Sequence, residues 1–314
     1  MTYLIGLDGG GTKTDAALCD GEGRVLARVR GGAASLTGQA KEQAFLHLEE
    51  TLRRVTEPIG GPQASIAAFF GGISGGGLEE NRRMFRALFE RVLPNARERE
   101  NGSDAICALS AGIGREDGVI AIAGTGSSVF ARVKGEMRQV GGWGYLLGDE
   151  GSGYDLGRRA LTAALRAMDG RGSETCLRTL CEEQAGCALR ELVARLYAAD
   201  SKRVIASYAP LLLQAAEAGD RVAGEELRQA VGDMTCAIQT AAALCARRRV
   251  VMGGSIWKSE LYRRKAGEML GESYELIAPD LPPVYGAVVE AAARAGCPAG
   301  TTFRENFQKT LTEE

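Results

Sequence analysis

Histidine is almost missing from this chain: its 314 residues include one, His47. A His-dependent catalytic triad and a multi-His metal site are thereby excluded. Any general base has to be a carboxylate, a lysine, a cysteine or a tyrosine. A charge excess of one sign is lacking too. The 38 basic and 40 acidic residues leave a formal charge of −2, so no polyanion-binding surface follows and nucleic acid is not an expected partner. No apolar run approaches the roughly 20 residues that span a bilayer, so no membrane association is expected. The segment Met1–Asp8 has no basic region and meets an Asp at once, so an export signal is not expected either. The eight cysteines are scattered and no two form a CxxC pair. Reduced thiols of a cytoplasmic protein are the simplest reading. Cys176, Cys181 and Cys187 lie closest together, but their spacing is wrong for a zinc knuckle.

Glycine is what the chain has in excess: 43 of 314 residues, about 14% and roughly twice the usual share. The glycines are clustered rather than periodic, which excludes a collagen repeat and points to several tight loops. At roughly 150 residues per domain, the length suggests two domains. The first shows three strands (residues 2–8, 15–20 and 24–30) and a helix from about Gln39 to Val55. A strand over 64–70, a helix over 78–92, a strand over 96–100 and a helix over 103–113 follow. The order is β-β-β-α-β-α-β-α. It then restarts: a strand over 118–123, a Gly-rich turn, and strands over 129–133 and 136–140. An architecture repeated about 115 residues apart indicates an internal duplication of one α/β unit. Residues 153–246 read as a helical insertion in the second unit. A strand over 249–252, a helix over 259–270, a strand over 274–278 and a last helix over 284–295 complete it. The expected domains are 1–115 and 116–314, with the C-terminal helix over 284–296 available to pack on the first. The tail from Cys297 reads as polar and loosely packed.

Five stretches carry chemistry. In Asp8-Gly9-Gly10-Gly11-Thr12-Lys13-Thr14, between two strands, bare backbone N–H groups can turn onto an oxyanion. Thr12 adds a hydroxyl and Lys13 a point charge, while Asp8 at the strand end can organise Mg²⁺ hydration. No helix follows at once, so this is no dinucleotide fingerprint. Gly124-Thr125-Gly126-Ser127-Ser128 occupies the same place in the second unit, so the two hairpins together suit a triphosphate. Gly253-Gly254-Ser255, opening into a helix that contains Ser259, permits close approach of a ribose or flat ring. The run Gly141-Gly142-Trp143-Gly144-Tyr145-Leu146-Leu147-Gly148-Asp149-Glu150-Gly151-Ser152-Gly153 sets aromatics and carboxylates among glycines. That composition suits a sugar. Asp104, after a strand and at a helix start, is either an N-cap or the base that phosphoryl transfer to a hydroxyl requires.

On these residues the chain resembles the actin, hexokinase and heat-shock chaperone ATPase superfamily. Within it, the chain is most similar to the N-acetylglucosamine kinase group of the BadF/BadG/BcrA/BcrD ATPase family. The similarity runs over about residues 2–296. It is most specific in Gly141–Gly153, Ile73-Ser74-Gly75-Gly76 and Gly254–Ser259. The resemblance implies two ribonuclease-H-like domains with nucleotide between them, and ATP with Mg²⁺ as cofactors. It implies phosphoryl transfer to the 6-hydroxyl of N-acetylglucosamine or a related hexosamine, and a homodimer. It puts Asp104 on the catalytic base, and Thr12, Thr125, Gly254 and Ser259 on the ATP site. The loops themselves add Gly10, Gly11, Lys13, Gly126 and Gly253 as candidate ATP or phosphate contacts and Asp8 as the candidate metal residue. Ser127, Ser128, Gly142, Trp143, Gly144, Tyr145 and Asp149 fall on the sugar pocket. The group usually places an Asn after the third strand where this chain has Ser35, a shorter side chain with one hydroxyl. The alternatives are an ATPase that activates a partner dehydratase or reductase, which needs cysteine ligands beside a phosphate loop, and a nucleotide- or sugar-binding protein without transfer.

Overall fold

The computed structural model describes residues 1–36, 40–197 and 201–311. It divides into two units, Met1–Glu116 with Pro279–Glu314, and Asp117–Ala278. In the first, β1 (Tyr3–Gly9), β2 (Thr14–Asp20) and β3 (Val25–Gly31) are followed by α1 (Lys41–Val55), β4 (Ile66–Ile73), α2 (Glu79–Val92), β5 (Ala96–Gly102) and α3 (Asp104–Ile113). The sheet order is β3-β2-β1-β4-β5. β1 pairs antiparallel with β2 and parallel with β4. Central strands β1 and β4 are apolar on both faces, as a sheet covered on both sides demands. Leu48, Phe69, Phe85 and Phe89 pack on one face, with the Phe69 and Phe89 rings 4.7 Å apart. The beginning of the helix expected from Gln39 lies outside the described residues.

The second unit repeats the plan. β6 (Gly118–Ala123), β7 (Ser127–Val133) and β8 (Glu136–Val140) form an antiparallel meander. Helices α4 (Gly153–Met168), α5 (Leu177–Ala185), α6 (Leu189–Tyr197), α7 (Ser201–Ala206), α8 (Ala209–Glu217) and α9 (Arg221–Cys245) make up the expected helical insertion. The sheet resumes with β9 (Arg249–Gly253), then α10 (Glu260–Leu270) and β10 (Glu275–Ile277). The order is β10-β9-β6-β7-β8, with β6 antiparallel to β7 and parallel to β9. Each sheet thus has a first strand at its centre, a meander on one side and parallel crossover strands on the other. The duplication read from the glycine turns is this shared topology.

Two expectations are corrected. The second unit ends at Ala278, not at 314. α11 (Pro283–Arg294) is backed by α3 and β1, and Val284, Ala287, Val288 and Ala291 are fully buried in the first unit's core. The tail is not loosely packed either. α12 (Thr301–Leu311) buries Phe303 and Phe307, and the Phe307 ring lies 4.9 Å from that of Tyr285. The Val25 N–H donates to Thr310 Oγ1 at 2.8 Å, and Asn306 donates to the Glu22 carbonyl at 2.8 Å, fixing α12 to the β2–β3 turn. The cause is an i, i+4 pair of phenylalanines in an otherwise polar stretch, enough for one apolar stripe.

Candidate active site

In the first unit the register sets the site. Asp8 lies level with Gly72 of β4, and Gly72 with Gly102 of β5. The chain then turns into α3, whose first residue is Asp104. Gly72 makes the approach feasible: a Cβ there would overlap the Cys107 sulfur and sit 3.4 Å from the Asp104 Cα. A bare backbone at the middle strand lets the start of α3 settle over the sheet end. Asp8 and Asp104 consequently lie close enough to feel each other's charge. Burial, then the charges of Asp104 and Asp15, push the Asp8 carboxyl up from 3.8 to about 7, against the pull of Lys13. Burial also raises Asp104, opposed by hydrogen bonds from Ser103 and Ala105. The Ser103 hydroxyl and the Ala105 N–H donate to Asp104 Oδ1 at 3.1 and 3.0 Å, which fixes the carboxyl and leaves Oδ2 without a contact of this kind from them. The N-cap role weighed for Asp104 belongs to Ser103, whose hydroxyl accepts from the Ala105 N–H.

The first glycine loop is closed by the Gly10 N–H donating to the Lys13 carbonyl at 2.9 Å. Gly11, Thr12 and Lys13 are exposed at its tip. Ser35 is buried, and its N–H donates to the Gly10 carbonyl at 3.3 Å, so it borders this loop. Thr14 was passed over as a site residue. Its hydroxyl donates to the Gly32 carbonyl at 2.7 Å and ties the loop's exit to the segment leading to Ser35.

In the second unit three glycine stretches meet. The Gly124 N–H donates to the Gly126 carbonyl at 2.9 Å, with Thr125 exposed at the tip. The first N–H groups of α4, from Gly153 and Tyr154, donate to the Gly124 and Thr125 carbonyls at 2.7 and 3.0 Å. Gly254, with φ +95°, packs on the Ala123–Gly124 peptide. The Ser127 hydroxyl donates to the Glu150 carbonyl at 2.8 Å. Gly142 packs on Ser127 and Ser128. Asp149 is buried and holds an uncommon φ of +60°. Its Oδ2 accepts from Lys202 Nζ of α7 at 3.0 Å. Tyr145 stacks edge-on to Tyr154 with centroids 5.2 Å apart. Gly144 precedes it at φ +89°, while Trp143 stands 66% exposed.

The Ser259 side chain, expected at the ATP site, accepts from the Tyr262 N–H at 3.3 Å and caps α10. The Trp257 indole, beside it, donates to the Ala121 carbonyl at 2.9 Å and braces β6 behind the Gly124–Gly126 turn. Sequence reasoning also missed Lys202. It lies 53 residues from Asp149 in an unremarked Ser-Lys-Arg stretch, and no local pattern signals the pairing.

Asp8 and Asp104 are two desolvated carboxylates short of positive charge. A hard divalent cation that takes oxygen ligands and keeps several waters fits that set.

Residues 5–291 match the sequence pattern of the BadF/BadG/BcrA/BcrD ATPase family. The chain belongs to that family. Within it, the chain is 31% identical over 242 residues to the N-acetylmuramic acid/N-acetylglucosamine kinase of Clostridium acetobutylicum, covering 76% of this chain and 79% of the relative. It is 27% identical over 234 residues to glucosamine kinase GspK of Vibrio cholerae, covering 74% and 78%. A solved structure from Chromobacterium violaceum, described as a candidate N-acetylglucosamine kinase, is 32% identical with a TM-score of 0.73, covering 92% of this chain and 98% of that one. The ROK-family glucokinase of Streptomyces griseus, at 18% identity and TM-score 0.56, shares the fold. For this BadF/BadG/BcrA/BcrD member, the family description and the two glycine turns agree on nucleoside triphosphate chemistry.

Proposed function

We propose that the protein is an ATP-dependent amino-sugar kinase that transfers the γ-phosphate to the 6-hydroxyl of N-acetylglucosamine or a related hexosamine. The observation that carries this reading is the Asp8–Asp104 pair at the end of the first sheet. Transfer to a hydroxyl needs an acceptor for its proton, and of the groups this chain can offer, a carboxylate at the end of the first sheet fits that task. Asp104 is oriented for that by two hydrogen bonds to Oδ1. Burial raises its proton affinity toward the range a general base uses. Asp8 would hold Mg²⁺ through the ion's own waters, and the bound ion supplies charge neutralisation for the transferred phosphoryl group. Gly10, Gly11, Thr12 and Lys13 would bind phosphate oxygens, as would Thr125 and Gly126. Gly253 and Gly254 would border the adenosine. Ser35, Ser127, Ser128, Gly142, Trp143, Gly144, Tyr145 and Asp149 would hold the sugar. Ser259, whose hydroxyl also caps α10, would contact the nucleotide from the start of that helix.

Kinase relatives at 31% identity support the reaction class, and their names support amino sugars. Eight free thiols support a cytoplasmic location. Among the described residues no helix is long and apolar enough to cross a membrane. The homodimer implied by the family resemblance is a proposal that sedimentation equilibrium tests directly.

The deciding experiment measures ADP release over a panel of amino sugars and their N-acyl forms, with phosphorus NMR of the product. Sugar-dependent ADP release and a 6-phosphate support the reading. ADP release that no sugar stimulates would overturn it.

A further inference from the structure

We infer that Lys202 sets the charge class of the sugar, so that the site takes N-acylated hexosamines in preference to hexosamines with a free, cationic amine. This rests on the reading of Asp149 as the carboxylate that receives the sugar. Asp149 alone would be a buried anion at the sugar loop, and a buried anion attracts an ammonium group. It is not alone. Lys202 Nζ lies 3.0 Å from its Oδ2 and 5.2 Å from the centre of the Tyr145 ring, another residue of the same loop. The ammonium also lies 3.3 Å from where a Cβ would stand on Gly126, and Asp149 Oδ2 is 2.6 Å from that point. A side chain at Gly126 would displace the carboxylate, so glycine there keeps the pair against the phosphate turn.

The consequence is electrostatic. The Asp149 side chain is 5% exposed and that of Lys202 is 30% exposed, so solvent screens their fields only in part. With the pair formed, the charges of Asp149 and Lys202 offset each other. A sugar that bonds Asp149 through its 2-substituent or the hydroxyl beside it brings that substituent within a ring's width of Nζ. A neutral acylamido group meets no penalty there, and its carbonyl can accept from the ammonium. A protonated amine meets a like charge and finds the attraction of Asp149 already cancelled. Lys202 comes from the helical insertion, while Asp149 and Tyr145 come from the sugar loop. The insertion is thereby given a direct part in selecting the substrate.

The test compares glucosamine with N-acetylglucosamine at neutral pH, by calorimetric binding and by kcat/KM, in the wild type, Lys202→Met and Lys202→Arg. The wild type should favour the N-acetyl sugar. Removing the cation should raise the glucosamine-to-N-acetylglucosamine ratio about 10–100-fold, as expected for uncovering one partly buried charge at several ångströms. Lys202→Arg should keep the wild-type ratio, which ties the shift to the cation, and an unchanged urea unfolding midpoint for Lys202→Met excludes a loss of folding as the cause. A ratio unchanged in Lys202→Met overturns the inference. So does a raised KM for ATP at constant sugar ratio, which would make Lys202 a phosphate ligand. Because binding is read separately, sugar binding with the expected shift but without phosphoryl transfer would refute the kinase reading and leave the charge selection standing.

Discussion

Ionising Asp8 in the folded chain costs free energy, because burial and the neighbouring carboxylates hold its proton up to about pH 7 against an ordinary 3.8. A carboxyl whose folded-state pKa lies above its unfolded value binds its proton more tightly when folded. Its contribution to stability is therefore most favourable below the unfolded pKa. It is lost as pH rises through about 4 to 7, and the penalty is complete above that. Asp8→Asn should accordingly raise Tm at pH 8 in EDTA without nucleotide, by about 2–4 °C for each kcal/mol relieved. The gain should vanish near pH 4. Equal melting curves for the two proteins at pH 8 would show that Asp8 is not strained by its surroundings. A cation bound there would relieve the same penalty. Sequence alone puts Asp8 at a strand end and Asp104 between a strand and a helix, because strand periodicity and Gly-rich exits are local signals. Their actual approach depends on Gly72, whose bare Cα admits the start of α3. Lys202 was illegible for the opposite reason: its partner lies on a distant element, and a single Lys on a short helix has no pattern.

Elements whose apolar stripes run long, such as α4 and α9, are plain in the sequence. α12 is not, since two phenylalanines in eleven mostly polar residues give a narrow stripe. The structure makes that stripe structural. Phe307 is fully buried against Tyr285, and hydrogen bonds tie the same helix to β3 and the turn before it. Phe307→Ala should lower unfolding free energy by about 3–5 kcal/mol, the usual cost of emptying a buried phenyl site. Urea titration measures it, and a loss under about 1 kcal/mol would mean that the helix contributes little beyond its own length. Ser259 carries a second task that the sequence also allows: a Ser one residue before a helix is a cap, and its hydroxyl accepts the Tyr262 N–H.

The whole molecule is a duplicated α/β plan whose halves are threaded differently. The second unit is one continuous stretch, Asp117–Ala278, whereas the first needs both chain ends. β1 and β4 pack their inner face on α11, which the chain supplies only after the second unit is made. A fragment of residues 117–278 should unfold cooperatively in urea as an isolated protein. A fragment of residues 1–116 should not, because Phe70, Ala111 and the neighbouring core would face water. Cooperative unfolding of 1–116 would show that α11 and α12 are appendages.

In the proposed reaction Asp104 receives the proton of the sugar hydroxyl during phosphoryl transfer. Steady-state turnover of Asp104→Asn, on whichever amino sugar the wild type phosphorylates best, tests it most directly when nucleotide affinity is measured on the same preparation. The account predicts unchanged ATP binding and turnover lowered about 10²–10⁴-fold. Turnover above half the wild-type value would contradict it.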